Sequence, residues 1–303
     1  RKVWDELGGF DELFSPAYCE DSDFCFRVRQ AGYKVMYQPF SEVVHFEGIS
    51  HGTDVNSGVK HYQVVNNRKF CERWKDELSK KSKSGENVFF ERDRTQNKKH
   101  VLVVDHYLPT IDKDAGSRTI SNFIDSLLAL DYSVKFLGEN QNIGIQYQIH
   151  FQKKGVEVLY GSPYNFFDLS WRNYLSEFHN YFDAILLSRS PVCTPILAYL
   201  RTLNYKGNII YYGHDLGFLR LEKEAEAKND PELKKQAVQV KAQEDYMYMN
   251  SDNALIINDD EANYLKKYIN VPLHYVPPYF FDVQKVVNPF AAREGMLFVG
   301  GFN

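Results

Sequence analysis

Val101-Leu102-Val103-Val104-Asp105, running on through His106-Tyr107-Leu108-Pro109 to Asp112-Lys113-Asp114-Ala115-Gly116-Ser117-Arg118, is the stretch on which the fold turns. A short apolar run closed by a proline and a polar turn reads as a buried strand. The apolar period that resumes after Ser117 reads as a helix to Leu130. Working outward, the pattern repeats: strands at Ser133 to Leu137, Val156 to Leu159, Ala184 to Ser188, Asn208 to Tyr212, Ala254 to Ile257 and His274 to Val276. Helical stretches lie between them, including Ile145 to Lys153, Pro231 to Met249 and Asp259 to Tyr268. Strands alternating with helices predict an α/β domain, an open parallel Rossmann-like sheet covered on both faces.

At the first strand-to-helix turn, Gly116 permits close approach of backbone to a ligand, and a helix start favours an anion or a polar sugar. A plain βα turn with Ser117 as its cap accounts for the same letters. No G-x-G-x-x-G follows the strand, which argues against a dinucleotide-binding reading.

The chain of 303 residues is long enough for two domains, with 44% hydrophobic residues to build cores. Its net charge of -4 gives no basic footprint for nucleic acid or an anionic membrane. Cys19, Cys25, Cys71 and Cys193 form no C-x-x-C pair and no metal-ligand spacing, so free thiols in a reducing compartment are expected. No run approaches a membrane span or a signal peptide. The expected location is the cytoplasm, with the inner face of the membrane as a peripheral alternative. Without an initiating Met, and closing on Leu297-Phe298-Val299-Gly300-Gly301-Phe302-Asn303, the sequence is expected to be a piece of a longer polypeptide.

Upstream of the sheet the pattern changes. A helix-like Arg1 to Leu7 turns at Gly8-Gly9, and a loop from Asp11 to Tyr18 leads to Glu20-Asp21-Ser22-Asp23. Phe24, Val28 and Ala31 follow at helical spacing, placing the acidic run at a helix start. Short strands are predicted at Tyr33 to Gln38 and Glu42 to Phe46, then one long amphipathic helix over Val59 to Leu78 with Phe70, Trp74 and Leu78 on one face. Residues 79–99 are rich in Lys, Ser, Glu, Asp and Arg and read as a connector between domains at 1–78 and 100–303.

Carboxylates at a helix start cap it. An aspartate there is equally suited to take a proton from an acceptor hydroxyl, which makes Asp21 a candidate general base. His45, in Val43-Val44-His45-Phe46, is either a satisfied structural histidine or a ligand for a divalent ion.

Four motifs in order, Gly8-Gly9-Phe10-Asp11-Glu12, Tyr18-Cys19-Glu20-Asp21-Ser22-Asp23-Phe24-Cys25-Phe26-Arg27, Ala31-Gly32-Tyr33-Lys34 and Val43-Val44-His45, resemble the C-terminal half of inverting family 2 glycosyltransferases. The resemblance implies a GT-A fold for residues 1–78, Asp21 as catalytic base and His45 as a ligand of Mn²⁺ or Mg²⁺ on the donor diphosphate. It also implies acceptor contacts from Glu20, Gly8 and Gly9. The nucleotide-binding half of that family, with its Asp-x-Asp, has no counterpart here. Asp21-Ser22-Asp23 has the letters in the wrong context.

Further on, the Asp112–Arg118 loop, Gly213-His214-Asp215-Leu216 with Arg220, the Ala254–Glu261 strand and helix, and the closing stretch resemble the N-terminal domain of family 4-like GT-B glycosyltransferases. That implies an acceptor-side cleft drawing on Gly116, Arg118, His214 and Asp215. The implied partners are a nucleotide-sugar donor and a glycan acceptor, and the implied activity is glycosyl transfer by a multidomain enzyme. The piece itself would lack half of each catalytic unit. A non-catalytic glycan-binding or scaffold module of polysaccharide assembly is the alternative from another class.

Overall fold

The computed structural model describes residues 1–38, 41–44, 58–87, 91, 95, 97–140, 144–160, 171–278 and 288–296. The chain divides into two compact units, Arg1–Arg94 and Thr95–Asn303, and the division falls inside the charged stretch 79–99.

In the first unit, α1 (Lys2–Glu6) turns through Gly8 and Gly9 into a 3-10 turn at Glu12–Phe14, and α2 spans Glu20–Gln30. Glu20, Asp21 and Asp23 lie in the first turn of α2 and Arg27 and Arg29 in its last, so both ends oppose the helix dipole favourably. After a 3-10 turn at Gly58–Lys60 come α3 (His61–Arg73) and α4 (Lys75–Leu78). The single long helix expected here is broken at Trp74, whose φ of -103° and ψ of 19° leave the helical region. The indole is buried instead, beside the Phe26 ring. The strands expected at 33–38 and 42–46 are a second correction: residues 33–38 and 42–44 enter no sheet. Tyr37, Val43 and Val44 stand exposed, so the alternation in the sequence has no pleated surface to pack against. Phe46 lies outside the described residues.

The second unit is built on a parallel sheet of β1 (His100–Asp105), β2 (Ser133–Gly138), β3 (Glu157–Leu159), β4 (Ala184–Ser188), β5 (Asn208–Tyr212), β6 (Asn253–Ile256) and β7 (Leu273–Tyr275). Their spatial order is β3-β2-β1-β4-β5-β6-β7. Strand and register agree with the α/β expectation: β1 is buried along its whole length, pairing Val101 with Val134 on one side and Ala184 on the other. The helices are α5 (Ala115–Ala129), α6 (Ile145–Lys153), α7 (Trp171–Phe178), α8 (Ser190–Thr202), α9 (Gly217–Lys228), α10 (Pro231–Asn250) and α11 (Asp259–Leu265). Ile120, Phe123 and Ile124 of α5 pack with Val101, Val103 and Leu186 in the main core cluster.

The chain leaves β1 for β2 and β3 on one side, then returns to β4 on the other. Such a reversal opens a crevice at the carboxyl ends of the two central strands. Asp105, Arg189, Gly116 and His214 collect there. Residues 297–303, the closing stretch of the resemblance to GT-B glycosyltransferases, lie outside the described residues.

Candidate functional sites in the two units

Tyr18 (φ 76°) and Cys19 (φ 72°) are consecutive left-handed residues that swing the chain into α2. This strained corner sets the acidic run. Asp23 points inward and is wholly buried. It accepts hydrogen bonds from Arg27 Nε at 2.7 Å and Trp74 Nε1 at 2.9 Å, with Arg73 Nη1 at 3.3 Å. Arg27 in turn donates to the carbonyls of Leu7 at 2.7 Å and Gly9 at 2.6 Å. Gly9 has no room for a side chain: a Cβ there would stand 2.8 Å from Trp4 Cζ2. Asp23 therefore ties α1, α2 and α3 together, and Gly8-Gly9 is the turn that Arg27 grips.

Asp21, two residues earlier, faces solvent, and its Oδ1 accepts from the Ser22 N–H at 2.6 Å. Glu20 is half-buried, and its Oε2 is enclosed without a hydrogen-bond partner among the described residues. Flanking this helix start is a cavity of about 540 Å³ lined by Tyr18, Cys19, Ser22, Gln63, Val64 and Asn67. Its lining carries hydroxyls, amides and a thiol but no acid or base. Asn66 fixes the loop above it, donating to the carbonyls of Phe14 at 2.6 Å and Ala17 at 2.7 Å.

His45 lies outside the described residues. Among those described, no three His, Cys, Asp or Glu side chains come together to hold a metal ion. Asp23 is already engaged by Arg27, Arg73 and Trp74, so Asp21-Ser22-Asp23 does not fit a divalent ion.

In the second unit, Asp114 caps α5 by accepting from the Ser117 N–H at 2.7 Å, and also takes bonds from Ser117 Oγ, Thr110 and Tyr107. Burial works against the Asp114 carboxylate, but these donors together hold its pKa below the ordinary value. Asp105, at the end of β1, is 2% exposed. Burial pushes its carboxyl upward, against the pull of Arg189, whose Nε bonds it at 2.7 Å. Tyr107 lies under the same guanidinium, 5.6 Å from ring centre to Arg189 Cζ.

Gly116 meets this group directly. A Cβ built on it would come within 2.8 Å of Arg189 Nη2 and 3.1 Å of His214 Cε1. His214 is fixed by Ser188 Oγ, 2.8 Å from its Nε2. Burial, then the charge of Arg189, pull the His214 pKa down to about 3, so the imidazole is neutral. Arg189 (φ 71°) and His214 (φ 68°) both occupy left-handed backbone at the ends of β4 and β5.

Of the four cleft residues read from the sequence, the structure brings Gly116 and His214 together. Arg118 is exposed on the next turn, its Nε donating to the Ile111 carbonyl at 2.9 Å. Asp215 pairs with Arg220 at 3.3 Å and lines a separate cavity of about 570 Å³ with Lys223, Asn258 and Glu261. The residues missed were Asp105, Ser188 and Arg189. Their signal was present: a charged or hydroxyl residue closing a buried apolar strand at the carboxyl edge of a parallel sheet.

No protein-family model matches the chain. Fifty-two residues are 36% identical to an uncharacterized protein, y4gI, of Sinorhizobium fredii (strain NBRC 101917 / NGR234), covering 17% of this chain and 6% of that protein. Among solved structures, sucrose-phosphate synthase from Thermosynechococcus elongatus is similar at 12% identity and a TM-score of 0.41, covering 59% of this chain and 48% of that one. Phytolacca americana UGT2 complexed with UDP-2fluoro-glucose and pterostilbene gives 13%, a TM-score of 0.40, and coverage of 60% and 54%. Yeast Gre2, a methylglyoxal/isovaleraldehyde reductase complexed with NADPH, gives 13%, a TM-score of 0.26, and coverage of 38% and 36%. The chain thus spans about half the length of the first two structures and a small part of its curated relative. TM-scores this far below 0.5 carry no argument about function, which rests on the residues themselves.

Proposed function

We propose that the chain is part of a glycosyltransferase that moves a sugar from a nucleotide-sugar donor to a glycan or polysaccharide acceptor, with Asp21 as general base. The observation that carries this reading is the division of labour in the acidic run. Asp23 is consumed by Arg27, Arg73 and Trp74, while Asp21, held at the same helix start, keeps an oxygen free toward solvent. The adjoining cavity, with its neutral lining, suits a hydroxyl-rich acceptor.

In the proposed step, the free Asp21 oxygen takes the proton from an acceptor hydroxyl as that oxygen attacks the anomeric carbon and the nucleoside diphosphate departs. The helix start holds Asp21 in place through the Ser22 N–H, and Glu20 beside it orients the acceptor. Mn²⁺ or Mg²⁺, when bound, would neutralise the leaving diphosphate. His45, the residue implied for it, lies outside the described residues. Gly8 and Gly9 act by fixing the turn against Arg27. The second unit supplies the acceptor-side domain of a GT-B module, its crevice formed by Gly116 and His214.

The test is Asp21→Asn in the full polypeptide, with sugar transfer measured by donor consumption. Loss of the base is expected to slow transfer by about 10²–10⁴-fold with the fold unchanged. Transfer at the parent rate would remove Asp21 from the chemistry.

A further inference from the structure

We infer that Arg189 forms an oxyanion-binding site at the crevice of the second unit, recognising a phosphate or carboxylate group through its two Nη nitrogens. Three independent features meet at this side chain.

The first is an unfinished hydrogen-bond inventory. Only Nε of Arg189 is bonded, to Asp105, and its side chain is 31% exposed. Among the described residues neither Nη has a hydrogen-bond partner, which leaves the planar end of the guanidinium open. That end is the geometry suited to bidentate contact with carboxylate or phosphate.

The second is preorganisation. Asp105 from one side and the Tyr107 ring from another fix the guanidinium, and the left-handed backbone at Arg189 aims it at the crevice. A side chain held this way loses little entropy on binding.

The third is the lining around the guanidinium. Gly116 lies directly against Nη2, and a Cβ there would come within 2.8 Å of it, so any side chain at 116 would displace the guanidinium. Neutral His214 completes the wall without adding a competing charge. The two carboxylates nearby are already engaged, Asp105 by Arg189 and the His106 N–H, and Asp114 by Ser117, Thr110 and Tyr107. The starts of α5 and α8, at Ala115 and Ser190, border the same crevice and favour negative charge.

This site does not depend on the role of Asp21, so the two tests fail separately. The intact chain is titrated calorimetrically with UDP, inorganic pyrophosphate, glucuronate and glucose, in parent, Arg189→Lys and Gly116→Ala forms. Lysine keeps a cation for Asp105 but loses the fork. Gly116→Ala leaves both Arg189 and its acceptor Asp105 in place and crowds the guanidinium end and the His214 ring edge, so it perturbs the same site by a second route.

At least tenfold weaker binding of an oxyanion probe in both folded variants is the expected result, with glucose unaffected. Loss confined to UDP and pyrophosphate assigns the group to a nucleoside diphosphate, and loss confined to glucuronate assigns it to an acidic sugar. Oxyanion affinities within threefold of the parent in the folded variants would overturn the inference. So would the absence of binding by every oxyanion probe.

Discussion

Each unit buries one aspartate at the base of an open site, and the two are used in opposite senses. In the first unit Asp23 gathers donors from Arg27, Arg73 and Trp74, and the group left free is another acid, Asp21. In the second unit Asp105 engages a single guanidinium nitrogen, and what is left free is the cation itself. Buried carboxylates in both units act as anchors. The open group beside each anchor differs in sign, so one site suits proton abstraction and the other oxyanion binding.

The most damaging way to break this comparison is to remove an anchor. Asp23→Ala leaves Arg27 and the Trp74 N–H without their acceptor in a dry interior, and is expected to cost about 3–5 kcal/mol. Urea unfolding followed by tryptophan fluorescence measures it. If Asp23→Ala unfolds no more readily than Asp21→Asn, the contrast between anchor and open group collapses.

A smaller effect sharpens the comparison by showing a buried acid with no cation. Glu244 of α10 is 4% exposed, accepts from the Gly217 N–H at 3.0 Å, and has Oε2 enclosed without a hydrogen-bond partner among the described residues. Burial raises its pKa to about 7, and Asp215 and Asp245 push it the same way. The folded state therefore holds this proton at pH values where the unfolded chain has released it, so Glu244 lowers stability as pH rises from about 4.5 through about 7. That loss is on the order of 3 kcal/mol. It should be absent in Glu244→Gln, as read from unfolding midpoints at pH 5 and pH 7.5. A parallel loss in the variant would assign the slope to other groups.

The smallest expected effect is at Arg118, two residues from Gly116 on α5, exposed and bonded to the Ile111 carbonyl. Arg118→Ala should change stability by no more than about 0.5 kcal/mol and leave pyrophosphate affinity where it was. A tenfold affinity change in calorimetry would move the oxyanion site from Arg189 toward α5.

The sheet was legible because its strands carry the pattern in themselves. Val101 to Val104 and Ala184 to Leu187 are apolar runs long enough to be buried strands whatever surrounds them. The first unit was harder to read. Alternation at Tyr33 to Gln38 predicts a strand only where a partner exists, and periodicity through Phe70, Trp74 and Leu78 does not reveal that the Trp74 indole bonds Asp23 across 51 residues. The acidic run shows the same limit. Spacing places Asp21 and Asp23 on one helix start, but which of them is buried depends on Arg27, Arg73 and Trp74 arriving from elsewhere. For Arg189 the sequence shows its place, just past the buried strand Ala184 to Leu187, but not its partners: Asp105, Tyr107 and Gly116 lie more than 70 residues away.

The placement of β1 between β2 and β4 also has a bearing on synthesis. Val101 finds its first neighbour, Val134, soon after it is made, but its second, Ala184, only some 80 residues later. At roughly 5–20 residues per second on the ribosome, the apolar edge of the central strand waits on the order of 4–17 s for its cover. During that interval the nascent chain presents one unpaired edge of a Val- and Leu-rich strand, the kind of segment that chaperones bind and that neighbouring chains can capture.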